Sequence, residues 1–300
     1  MPASGSLDQR VDESKGRQIE GYIRKVMDLP TIPSVLFKVW RLCESADSTP
    51  SEIEEVISLD QALTSKIIRV ANSAFYKRSS RVSNVKSAIV NIGFEAVKTI
   101  AIAASVTTLF RKRKRISKYF SLKDFWKHSI GVGVASKIFA EKVEGVNPEN
   151  CFCAGILHDI GKFVENLVVP EDFVKELSVS TRKGVTISEA EVEVLGVDHA
   201  FFGEIFAEHW NFSDELKRII ADHHKNLDEI DELYLVETGV VRVADTVIRD
   251  IQFGFPGDFK KAELEEPLIE LFSIEEGFIS SFREELRDEL ESAVELVNLF

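Results

Sequence analysis

Cysteine is nearly absent: Cys43, Cys151 and Cys153 are the only three in 300 residues. They form neither an even disulfide set nor a Cys-x-x-Cys pair, so they read as reduced packing residues of a cytoplasmic protein. Proline, at 8, and glycine, at 16, are too sparse for an all-β chain, and period-two alternation is too rare. Long apolar runs are missing as well. The longest, Ile100 to Phe110, is broken by Ser105, Thr107 and Thr108 and falls short of the ~20 residues that a membrane-spanning helix needs. Met1 to Arg24 holds no apolar stretch of the kind a secretory signal requires, which predicts neither export nor membrane association. Positive charge is in deficit, 37 Lys and Arg against 50 Asp and Glu, and the net −13 argues against wrapping nucleic acid over a broad surface. One stretch opposes that balance. Arg111-Lys112-Arg113-Lys114-Arg115, with Lys118, reads either as a solvated helix end or as a docking surface for an anionic partner such as nucleic acid.

What remains is an ordinary globular composition, 44% hydrophobic and 29% charged, patterned for helices throughout. Residues 1–18 carry few apolar side chains and are expected as a flexible leader. The prolines of Leu29-Pro30-Thr31-Ile32-Pro33 break any helix, and Ser34 is placed to cap the next one. Thr49-Pro50-Ser51-Glu52 is a capping box with proline at the first helical position. Asp60 is expected to cap a helix that carries Leu63, Ile67, Ile68 and Ala71 on one face. Gly93 separates two further helices, and the second, Phe94 to Phe110, is too apolar to read base edges. The expected architecture is an all-α, HD-domain-like multi-helix bundle. An N-terminal helical lobe covers 19–120, a second lobe 121–250, and a loop with an acidic helix 251–300. That last helix repeats Phe278, Phe282, Leu286, Leu290 and Val294 at every fourth position. The stripe must be covered, either by the chain's own body or by a second copy in a homodimer.

All six histidines fall between positions 128 and 224. His158-Asp159 stands at the end of an apolar helix, where an unpaired carboxylate would be costly to bury and a cation would remove the cost. His128 lies upstream on a separate helix, and Asp245 is another acid on an apolar one. Imidazole and carboxylate together suit iron, manganese or zinc.

The order His128, His158-Asp159, Asp245 resembles the ligand pattern of HD-superfamily metal-dependent phosphohydrolases, and His158-Asp159-Ile160-Gly161-Lys162 resembles their central motif. His199, followed by Gly203, and the pair His223-His224 resemble the extra ligands of the two-metal HD-GYP phosphodiesterases. The resemblance implies one or two divalent ions (Fe, Mn or Zn). His128, His158, Asp159 and Asp245 would hold one, and bridging Asp159 with His199, His223 and His224 the other. It also implies Asp159 and Lys162 as catalytic residues, with Lys162 beside a substrate phosphate. Two features depart from the pattern. His224-Lys225-Asn226 continues without the glutamate and the Gly-Tyr-Pro signature, so that substrate-recognition loop is missing. His209, beside Trp210, matches no ligand position and reads as structural.

The N-terminal half carries a second resemblance. Leu29-Pro30-Thr31-Ile32-Pro33, Ile57 to Thr64, Arg69 to Tyr76 and Ala88 to Gly93 are similar to successive signatures of the HDOD domain, except that Gln61 stands where a proline is usual. HDOD domains are all-α relatives of the HD fold that act in bacterial signalling, often without the metal ligands. The resemblance therefore implies two functions. One is a regulatory module that retains an HD-type dinuclear site and acts in trans on a protein partner or with a nucleotide second messenger. The other is a metal-dependent phosphohydrolase, a phosphodiesterase or phosphomonoesterase acting on a nucleotide-like substrate.

Overall fold

The computed structural model describes residues 5–45, 47–76, 81–110 and 120–299, and among them every regular element is a helix. The first, α1 (Gly5–Met27), takes in most of the expected leader; its apolar anchors, Tyr22 and Val26, are buried near its far end. In α2 (Ser34–Glu44) the N-cap is Pro33, whose ring presets the backbone, so Ser34 is the first helical residue and not the expected cap. The capping box of α3 (Pro50–Ser58) is formed reciprocally by Thr49 and Glu52. At α4 (Gln61–Ala71) the Asp60 carboxylate accepts from the N–H groups of Ala62 and Leu63 at 2.9 and 3.0 Å, and the helix starts without the proline. α5 (Val85–Ile92) ends at Gly93, whose φ of +86° suits a residue without a Cβ. α6 (Phe94–Phe110) then runs through the core with Ile100 to Ala104 and Val106 buried, which leaves those residues no face for DNA.

The loop between α4 and α5 is closed by one side chain. Asn72 donates to the carbonyls of Ile68 and Val82, both at 2.8 Å, and accepts from the Val82 N–H at 2.9 Å. The basic stretch Arg111 to Arg115, with Lys118, lies outside the described residues.

The stretch expected as the second lobe folds as α7 (Leu122–Ala140), α8 (Pro148–Leu157), α9 (Ile160–Val168), α10 (Pro170–Lys183), α11 (Ile187–Leu195), α12 (His199–His209), α13 (Asp214–Asp222) and α14 (Glu232–Ile251). α7 is buried on almost every side because α8, α14 and the last helix pack round it. α15 (Glu266–Phe272) leads into that last helix, α16 (Phe278–Leu299). Phe282, Leu286 and Leu290 of α16 are buried on the side where α7 and α4 pack, so the chain's own body covers most of the stripe, while Val294 stays exposed. Buried side chains of both lobes form one continuous core. No single helix among the described residues is long and apolar enough to cross a membrane.

Candidate metal centre

The apolar helix expected to end at His158-Asp159 ends two residues sooner and is followed at once by another. α8 stops at Leu157, and His158-Asp159 form a corner before α9, which the unbroken apolar pattern concealed. Gly161, two residues past the corner, touches α12 backbone to backbone: a Cβ there would lie 1.8 Å from the His199 carbonyl oxygen, with Gly203 beside it. This contact delivers His199 to Asp159. α7 supplies His128, the end of α13 supplies His223 and His224, and α14 supplies Asp245.

The seven ligand candidates converge in two groups, Asp159 with His199, His223 and His224, and His128 with His158 and Asp245. Asp159 divides its carboxylate between them. Its Oδ1 lies 3.1 Å from His199 Nε2 and 3.6 Å from His223 Nε2. Its Oδ2 lies 3.4 Å from His158 Nε2, 4.0 Å from His128 Nε2 and 2.6 Å from Lys162 Nζ. Asp245 Oδ1 closes the second group at 3.1 Å from His128 Nε2 and 3.9 Å from His158 Nε2. His224 is the exposed member of the set, 2.9 Å from His199 through the Nε2 atoms.

Ring tautomers follow from the partners of Nδ1. His158 donates Nδ1–H to the Gly155 carbonyl and His223 to the Ile220 carbonyl, each at 2.8 Å. His199 donates Nδ1–H to Glu191 at 2.6 Å, and the same carboxylate oxygen takes the His199 backbone N–H. Nε2 of each ring is thereby turned toward the centre as a ligand atom. The Nε2 atoms of His199 and His223 stand 3.3 Å apart. Two lone pairs at that distance repel, and a proton or a metal ion between them removes the conflict. Burial keeps His158 neutral, pushing it down to about 4 against the pull of Asp159 and Asp245. Burial also opposes a charge on His199, but Glu191 and Asp159 together overcome it and raise His199 to about 10. Asp159 stays ionised well below the usual range although burial works against it, because His158 and Lys162 face it. His128 is buried, and neither ring nitrogen makes a well-aligned hydrogen bond among the described residues. These unmatched donor atoms fit a metal site.

Sequence reasoning missed three groups. Glu191 holds His199, and with Glu165 of α9 and Glu176 of α10 it forms a fully buried carboxylate cluster. A signal was present: Glu191 lies midway between Ile187 and Leu195 at helical spacing, so it interrupts an apolar face. Arg242 and Arg249 of α14 were also missed. They line a small cavity of about 80 Å³ together with His158, His223, His224 and Asp245. His209, by contrast, lies apart from the centre as expected, donating to the Leu29 carbonyl at 3.0 Å.

Residues 29–226, more than half of the chain, match the HDOD domain family. A curated relative, an uncharacterised protein of Treponema pallidum, is 22% identical over 253 residues; the match covers 84% of this chain but 47% of that protein, so the chain spans about half its length. An HDOD domain protein of unknown function from Geobacter sulfurreducens superposes with a TM-score of 0.79 at 22% identity, covering 96% of this chain and 99% of its own. A Shewanella amazonensis protein provisionally named a phosphohydrolase superposes with a TM-score of 0.71 at 23% identity, covering 92% and 98%. At these identities the superpositions speak for the fold, while the family match assigns the sequence: the chain belongs to the HDOD domain family.

Proposed function

We propose that this chain is a regulatory HDOD module that binds two divalent metal ions and signals through a protein or nucleotide partner. The observation that carries the reading is the divided carboxylate of Asp159, one oxygen per ligand group. His128, His158, Asp245 and Asp159 would hold one ion, and Asp159, His199, His223 and His224 the other; imidazole and carboxylate suit Fe, Mn or Zn. Ions so held supply Lewis acidity and lower the pKa of a bound water.

The chain's own residues limit how far that chemistry reaches. Lys162 is buried and paired with Asp159, so it neutralises the shared carboxylate instead of facing a substrate. The space over the centre, about 80 Å³, is far below the roughly 300–1,000 Å³ of a cofactor-sized site. Both arginines there are engaged, Arg242 by the Lys225 carbonyl and Glu265, and Arg249 by Asp245 and Asp258. These contacts leave little room for a nucleotide over the centre, as substrate or as signal, so a partner of the module would dock elsewhere. A second reading, phosphohydrolase, is favoured by the same two guanidinium groups, which would suit a small phosphate monoester if their carboxylates gave way.

Elemental analysis of protein purified without chelator tests both, with p-nitrophenyl phosphate and bis-p-nitrophenyl phosphate assayed in added Mn or Fe. Two metal equivalents without turnover are expected. Turnover that Asp159→Ala abolishes would replace the first reading with the second, and metal-free protein that takes up no added ion would overturn both.

A further inference from the structure

A second cavity, about 630 Å³, lies between the lobes and shares no residue with the metal centre. α4 turns Ala62, Ser65, Lys66 and Arg69 toward it, positions at i, i+3, i+4 and i+7 that make one helical stripe. Facing them are Pro30 from the loop after α1, Leu167 near the end of α9, and Trp210 just past α12. The volume is that of a drug-sized ligand site. The wall is braced: Trp210 donates its indole N–H to the Pro30 carbonyl at 3.0 Å, and His209 holds the Leu29 carbonyl beside it.

The lining is basic although the chain as a whole is acidic. In a chain of net charge −13, two cations one turn apart line a mainly apolar cleft. Lys66 is 7% exposed and donates to Thr107 Oγ1 at 3.1 Å, so its ammonium is held in place; Arg69 is exposed at the rim. Among the described residues the one carboxylate on the lining, Asp60, is taken up by the N–H groups at the start of α4.

We propose that this cleft binds a small amphipathic anion, its apolar body against Pro30, Leu63 and Trp210 and its carboxylate or phosphate at Lys66 and Arg69. The occupant is a single free molecule and not a membrane, because the apolar surface, Leu63 and Trp210 among it, is recessed in a cleft and not presented as a flat face. The site needs no metal and stands apart from the reading of the centre. Its position matters, however: Leu167 and Trp210 sit at the far ends of the two helices that begin at Asp159 and His199.

Dodecanoate and dodecyl phosphate, below their micelle-forming concentrations, are titrated calorimetrically into the intact protein. Saturable one-to-one binding of at least one is expected, and the tighter of the two identifies the head group. Dodecyltrimethylammonium should bind at least roughly ten-fold more weakly, and Arg69→Glu should weaken the anion roughly ten-fold through loss of a charge-assisted contact. Arg69 is exposed, so that variant should keep its melting temperature and metal content. No binding of either anion, equal binding of the cation, or indifference to Arg69→Glu would overturn the proposal.

Discussion

The two lobes bury polar groups on different terms. In the first lobe the amide of Asn72 satisfies three backbone groups, and the ammonium of Lys66 meets a hydroxyl. Among the described residues, the buried atoms there without a hydrogen-bond partner are largely hydroxyls, such as those of Ser73 and Tyr76. In the second lobe buried ionisable groups crowd together instead, Glu165, Glu176 and Glu191 in one cluster and Asp159 among histidine rings in another, an arrangement far costlier to bury. A buried polar group with its partners supplied marks architecture. A surplus of buried acceptors around a shared carboxylate marks a place for something the chain does not itself provide.

That contrast is open to direct attack. The largest effect should come from Asp159→Ala, which removes the oxygen common to both ligand groups; elemental analysis should find both metal equivalents gone, while Asn72→Ala keeps them. Glu191→Gln should leave the fold intact but cut metal affinity roughly 10- to 100-fold, the usual cost of losing a carboxylate that orients a ligating histidine, as read by competition with a chromophoric chelator. Asn72→Ala should cost about 2 kcal/mol in denaturant unfolding, the sum of modest losses from bonds that partly reach water.

The smallest effect is a slope with pH. Burial, reinforced by the neighbouring Glu191, raises the carboxyls of Glu165 and Glu176 above the usual 4.5. The folded state therefore binds protons that the unfolded chain has released. This stabilisation is complete below pH 4.5 and is lost as pH rises through the raised values of the pair. Glu165→Gln with Glu176→Gln should flatten that decline in melting temperature and raise stability above neutrality. An unchanged slope would show that the cluster is not charged in this way.

Most of the centre was legible in the sequence because its residue types are expensive to bury without cause. Six histidines confined to one lobe, and Asp159 and Asp245 on apolar helices, announce a site before any fold is known. The corner between α8 and α9 was not legible, since an apolar run on both sides of His158-Asp159 has the same period whether the helix continues or bends. Nor was Ser34's failure to cap, because Pro33 occupies the capping position one residue earlier. Glu165 and Glu176 went unmarked, for their burial depends on three helices meeting, and only Glu191 leaves a trace in its own segment, between Ile187 and Leu195.

The contact of Gly161 with the His199 carbonyl has a mechanical consequence. With no gap between their backbones, α9 and α12 form a single beam, and Asp159 and His199 ride on the same end of it. His128, His158 and Asp245 are mounted elsewhere, on α7, the end of α8 and α14. Moved as one body, the pair would keep the Asp159–His199 distance while displacing both residues against His128 of α7, Asp245 of α14 and the His223-His224 pair at the end of α13.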